Sequence, residues 1–239
     1  MDNPYQTPAA EVAVAPAATQ WHFKDPTWLT WASRICLMAG MLASLLMIGV
    51  MAHQYQLLGD ADARGWTLDD VYAESALLLL GAGLLQFLSM ILSFVFVGMW
   101  IYRAAWNVRS LAGARRLDFT PGWSVGWYFI PFANLWKPYQ AMKEIWRASA
   151  RPDNPDAAPT SVWLPLWWLL WLAFNIVSNF ASRATWRAQT IDAEMDSALA
   201  SITCDAINIP LCLVLARIIT RVHRLQWQQQ AERLQAQGG

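Results

Sequence analysis

The residues best placed to do chemistry in this chain lie inside two apolar runs. Asn175, Ser178, Asn179 and Ser182 recur at i, i+3, i+4 and i+7, so one helix face carries all four. Ser201, Asp205, Asn208 and Cys212 nearly repeat that spacing in the next run. If the runs are antiparallel helices joined by a short outer loop, Asn179 matches Ser201 in depth and Asn175 matches Asp205. At ~1.5 Å per residue the second layer lies about 10 Å below the outer ends. The expected bond runs from Asp205 across to Asn175 or Asn179. A carboxylate at the centre of a membrane helix costs about 2.5–3.5 kcal/mol, less near an end, so Asp205 is a functional candidate by default. Protonation or one good hydrogen bond offsets the cost. Two readings stay open: polar glue between helices, or a site that carries a proton or an ion.

Other chemistry is thin. Cys36, Cys204 and Cys212 all lie in apolar runs and make no CxxC or Cys/His cluster, so they read as small buried hydrophobes. His22, His53 and His223 are scattered and give no metal spacing. There is no Gly-x-Ser-x-Gly, His-Glu-x-x-His, P-loop or dinucleotide fingerprint. No metal, no cofactor and no enzyme activity are expected. The formal net charge is zero, which gives no argument for a nucleic-acid partner, and none is expected.

Composition explains what must position these residues. The chain has 239 residues, 56% hydrophobic and only 14% charged. Soluble domains carry about 25% charged residues, and here the deficit falls in a few long runs, the pattern of a membrane protein. Four spans are expected at about 29–51, 76–102, 162–182 and 198–220. Residues 1–26 read as a disordered tail, 27–222 as the membrane domain and 223–239 as a polar tail. The first run has no cleavable-signal pattern and reads as an uncleaved span. Thr67 with Asp70 three residues on predicts a capping box that opens the second long helix. Pro210 is expected to kink the fourth span.

Charge gives the orientation. The loop at 52–75 holds Asp60, Asp62, Asp69, Asp70 and Glu74 against Arg64, and the loop at 183–197 is also acidic. Arg103, Arg109, Arg115 and Arg116 follow the second span, and Arg217, Arg221, Arg224 and Arg233 follow or end the fourth. The positive-inside rule then puts both termini on the cytoplasmic side. Trp106 and Leu111 suggest a helix lying along the inner surface, and Tyr139 to Ala150 a second one.

Between those segments lies an unusual stretch, 119–138, apolar and aromatic but broken by Pro121, Pro131 and Pro138. If it crossed the membrane, Lys137, Lys143, Arg147 and Arg151 would be translocated, so a re-entrant or interfacial path is expected. Ile130 precedes Pro131 and is pushed toward extended backbone, so a helix from Gly122 should break there. Such backbone survives at membrane depth only against protein or a wet cavity. Gly122 and Gly126 would permit close helix approach or mark a turn. Asn134 could satisfy freed backbone groups. The element is either an aromatic wedge or part of a pore or cleft.

The run Gly122, Trp123, Gly126, Trp127, Pro131, Asn134, Leu135, Lys137 and Pro138, followed by Met142, Glu144-Ile145-Trp146 and Ser149, resembles the core motif of a bacterial membrane-protein family, domain of unknown function 4328. The family's preceding segment is matched by Trp106-Asn107-Val108-Arg109. The resemblance spans roughly 75–225 and implies a multi-span protein of the bacterial inner membrane, with no activity attached. The Asn-Pro-Tyr start also resembles the tails of small inner-membrane proteins.

The expected protein is all-α and integral to the membrane, with four transmembrane helices, a re-entrant or interfacial aromatic element and cytoplasmic amphipathic helices. Its expected role is a non-enzymatic scaffold that binds lipid, a membrane-protein partner or its own copy. The alternative is a small channel or transporter using 119–138 and the polar seam of Asn175, Asn179, Ser201, Asp205 and Asn208.

Overall fold

The computed structural model describes residues 21–113 and 117–238, and every described regular element is helical. Seven α-helices follow in order: α1 Thr27–Gly59, α2 Ala61–Arg64, α3 Leu68–Ala112, α4 Pro121–Gly126, α5 Lys137–Ala150, α6 Trp163–Arg187 and α7 Ile191–Gly238. Of these, α1, α3, α6 and α7 are long and apolar enough to cross a membrane. They lie in the spatial order α3, α1, α7, α6, with α3 and α6 at the edges. The apolar window of α3 is only 11% buried within the protein, so most of it is left for lipid.

The chain's own signals set the boundaries. Thr67 Oγ1 accepts from Asp70 N–H, and Asp70 Oδ2 accepts from Thr67 N–H, which is the expected capping box at the start of α3. Gly65 ends α2 at φ 66°, where a side chain would be strained. Pro210 sits inside α7 and the helix continues past it to Gly238. The acidic connections shorten to 60–67 and 188–190, because α1, α3, α6 and α7 all run beyond the apolar cores.

Two expectations need correction or a limit. Residues 103–112 do not lie along a surface as a separate helix. They prolong α3, with Leu111 buried, because α5 and α7 pack over this turn. The expected disordered tail falls mostly outside the described residues, as do Arg115 and Arg116; its last part, 21–26, lies against α3 and α7.

The main core sits at the basic end of the bundle. There Trp100, Val108, Met142, Ile145, Trp167 and Ile219 pack together, and α5 lies across α3 and α7. A small second cluster, Leu57, Leu58, Ala61 and Val71, closes the acidic end. The amphipathic α5 buries Met142, Ile145 and Trp146, as their helical spacing predicts.

Candidate functional site

Asp205 is buried on α7 and sits where α1, α3 and α7 meet. Its Oδ1 accepts from Ser44 Oγ at 2.7 Å and from Gln86 Nε2 at 2.9 Å. Asn208 Nδ2 donates to Ser44 Oγ at 2.9 Å, and Gln86 Nε2 reaches the same oxygen at 3.2 Å. The Ser44 hydroxyl is therefore fully used, with one bond donated and two accepted. Gln86 Oε1 beside them is buried with no donor among the described residues.

The expected partners are not the observed ones. Asn175 Nδ2 donates to Trp171 O and Asn179 Nδ2 to Asn175 O, each one turn back on α6, while Ser201 Oγ donates to Ser197 O. Bonds that do link α6 to α7 are Thr185 Oγ1 to Ser197 Oγ at 2.7 Å and a side-chain bond between Ser178 and Cys204. The reason is angular. α7 lies between α1 and α6, and residues 205 and 208 face the α1 side. The neighbour on that face is α1, which supplies Ser44.

At the basic end a second buried polar group joins four segments. Asn107, 0% exposed, accepts from Lys24 N–H (3.0 Å) and donates to Lys24 O (2.8 Å) and Gln226 Oε1 (3.2 Å). Gln226 Nε2 donates to Ala104 O and Ser149 Oγ. The segment 21–26, α3, α5 and α7 are thus held at one point. Nearby, Thr30 Oγ1 receives Trp100 Nε1–H and lies 3.2 Å from His223 Nδ1. Burial and the Arg224 and Arg34 charges hold the His223 ring below its ordinary pKa, and Asp25 partly opposes them. Thr30 itself is buried.

The aromatic element is tied at both ends on this same side. Glu144 accepts from Asp118 N–H (2.6 Å) and Phe119 N–H (3.2 Å), and Arg109 Nη2 donates to Phe119 O at 2.8 Å. Burial pushes the Glu144 carboxyl above its ordinary pKa, although the two N–H bonds pull it back. Lys137 Nζ lies 5.5 Å from the Phe119 ring centroid, which brings the element's two ends together. Its middle reaches farther along the bundle: Phe129 meets Phe94 of α3 at 5.6 Å and Tyr128 meets Trp171 of α6 at 6.4 Å. Phe94 and Trp171 each lie eight residues inward from Tyr102 and Trp163, or about 12 Å at the helical rise.

Local chemistry gives this path. Thr120 caps α4, whose first residue is Pro121. A single-turn 3-10 helix, Trp127–Phe129, ends at Ile130, which is extended (φ −99°, ψ 110°) ahead of Pro131. Ala133–Leu135 makes another short turn, and Pro138 lies in the first turn of α5. Gly126 admits the Trp123 ring, which a Cβ there would meet at 3.2 Å, whereas Gly122 has open space around it. Among the described residues Asn134 Oδ1 is buried without a donor, and Trp127 Nε1 without an acceptor. The outer side presents Trp123, Phe129, Phe132, Leu135 and Trp136 exposed.

A cleft of about 880 Å³ opens at the basic end between α1, α7 and the start of α6. Arg34, Arg217, Arg221 and Arg224 line it. Sequence reading registered these arginines only as topological charge, since α1 and α7 are far apart in the chain. Ser44, Gln86 and Gln226 were also missed, because one polar residue in an apolar run or a Gln-rich tail carries no distinctive signal. Asn107, Arg109, Glu144 and Ser149 did carry one: all belong to the family-like motif, and the structure brings them into two adjoining clamps.

A family model described as a domain of unknown function (DUF4328) matches residues 67–224. No curated protein and no solved structure matches the chain. The matched region runs from the α3 capping box to the Arg224 end of the cleft and includes the whole aromatic element. With well over half of its length covered by that model, this multi-span, all-helical chain belongs to the DUF4328 family.

Proposed function

We propose that the protein is a non-enzymatic inner-membrane scaffold that engages lipid or a membrane partner through its basic, Trp-rich end. That end faces the cytoplasm by the distribution of Lys and Arg, and both termini lie there. The element at 119–138 is a re-entrant wedge, entering and leaving on the cytoplasmic face. One observation carries the reading. Glu144, Arg109 and Lys137 hold the two ends of the element side by side, while its Trp123, Phe132 and Trp136 side chains are left exposed. Aromatic rings at this level suit the headgroup region or the flank of another membrane helix.

A second reading, a small channel or transporter, rests on the unpaired Gln86 Oε1 next to the Asp205 carboxylate. That oxygen could take a donor or a cation. One reconstitution separates the two. The full chain, labelled with an environment-sensitive fluorophore at Phe132→Cys in a background lacking the native cysteines, is placed in liposomes containing headgroup-region quenchers. The scaffold reading expects strong shallow quenching and no proton or sodium flux. Flux that Asp205→Asn abolishes, with no quenching at residue 132, would overturn it.

A further inference from the structure

We infer that the four-arginine cleft between α1, α7 and α6 is a binding site for an anionic phospholipid, its phosphate held by the guanidinium groups and its acyl chains along α1. The inference rests on the scaffold reading only in placing this end of the bundle at the cytoplasmic leaflet. Arg217, Arg221 and Arg224 recur at i, i+4 and i+7, so one face of α7 presents all three to the cleft, and Arg34 of α1 faces them. No carboxylate of the described residues lines the space. Among the described residues none of the four lies within ion-pair distance of an Asp or Glu. Four cations gathered without a counter-charge from the described residues repel one another, and an anion relieves that cost.

The aromatic neighbours prepare the charged groups. The Arg34 guanidinium lies 4.8 Å from the Trp31 ring centroid, and that of Arg217 lies 4.5 Å from Trp163. A guanidinium stacked by its face keeps its N–H edge free for bidentate bonds to phosphate oxygens. Trp at this position also marks the headgroup level.

The rest of the cleft selects a lipid over a free anion. Below Arg34 the wall continues through Ile35, Met38 and Leu42 of α1, and Ile35 and Leu42 are 63% and 61% exposed. This stripe follows α1 into the apolar part of the bundle. A free phosphate would use the arginines and leave the stripe idle, whereas an amphiphile uses both. Basic pockets between transmembrane helices at the cytoplasmic side commonly take anionic headgroups.

The test uses the full chain, delipidated in a neutral detergent, with thermal unfolding midpoint and native mass spectrometry as readouts. The probes are phosphatidylglycerol, diphosphatidylglycerol, phosphatidylcholine and inorganic phosphate. The expected result is retention and stabilisation by the two anionic lipids, and neither by phosphatidylcholine or phosphate. Arg217→Gln with Arg221→Gln should weaken retention about thirty-fold, at roughly tenfold per 1.4 kcal/mol and ~1 kcal/mol per charge. Lys143→Gln with Arg151→Gln, basic but outside the cleft, should leave it unchanged. Leu42→Gln, which keeps every arginine, should weaken lipid retention and so covers the case in which the double variant fails to fold. Equal binding of phosphatidylcholine, equal stabilisation by inorganic phosphate, or unchanged retention in both cleft variants would overturn the inference. Quenching at residue 132 reports the scaffold reading separately, so either can fail alone.

Discussion

Asn107→Ala probes the buried clamp that joins the N-terminal segment to the bundle. Asn107 is fully buried and makes three hydrogen bonds: two with the Lys24 backbone and one with Gln226 Oε1. Lys24 is half-buried, so its two backbone groups can turn to water. Gln226 is 1% exposed and its Oε1 cannot, so the substitution strands one buried acceptor. A lost bond costs about 1 kcal/mol and a stranded buried acceptor about 1–3 kcal/mol more. The expected loss is therefore about 2–4 kcal/mol, a substantial part of a stability of 5–15 kcal/mol. The assay is unfolding of the detergent-solubilised protein against added sodium dodecyl sulfate, followed by circular dichroism, with proteolysis after Trp21 and Lys24 as a local readout. Gln226→Leu also releases Ala104 O and Ser149 Oγ, so the readout is a double-mutant cycle: Asn107→Ala with Gln226→Leu should lose less than the sum of the two single variants. A change under about 0.5 kcal/mol in the single variant would refute the clamp, since that is the range of ordinary surface substitutions.

At membrane depth, Asp205→Asn keeps an oxygen for Ser44 and Gln86 and should change stability little, while Asp205→Leu removes the acceptor of the buried Ser44 hydroxyl and of one Gln86 N–H and should cost about 2–4 kcal/mol in the same assay. His223 has a depressed pKa in the folded protein, so its contribution is present above the ordinary value and is lost as pH falls through the folded one. The unfolding midpoint should fall between pH 7.5 and 5, and His223→Gln should flatten that slope. Gly122→Ala should be neutral, because nothing lies within 4 Å of its added Cβ. A marked loss of stability there would restore the reading of Gly122 and Gly126 as a helix-approach pair.

The long helices, the acidic and basic ends and the break at Ile130 could be read from the sequence because each rests on local chemistry: apolar length, charge, and the steric effect of a following proline. The Thr67–Asp70 capping box is equally local. The partner of Asp205 was not legible. Helical period fixes which residues share a face, but not which helix that face meets, and the nearest helix in sequence was the wrong choice. Ser44 and Gln86 are polar residues in otherwise lipid-compatible runs, so nothing marked them before α1, α3 and α7 were brought together. The arginine cleft needs the same long-range information, since Arg34 and Arg217 meet only after α1 and α7 pack. The turn from 103 to 112 looked like a surface helix because Trp106 and Leu111 are apolar among arginines. The Trp21 ring and the α5–α7 layer that cover this region come from distant sequence.

The most direct test of the account is side-specific labelling of single cysteines around the aromatic element, in a background lacking Cys36, Cys204 and Cys212. Asp118 precedes the element, Gln140 follows it, and both are exposed, as are Asp62 and Gln189 at the acidic end. The account predicts that cysteines at 118 and 140 label only from the cytoplasmic side, and those at 62 and 189 only from outside. Labelling of 118 and 140 from opposite sides would contradict it, because the element would then cross the membrane and carry the basic helix α5 with it.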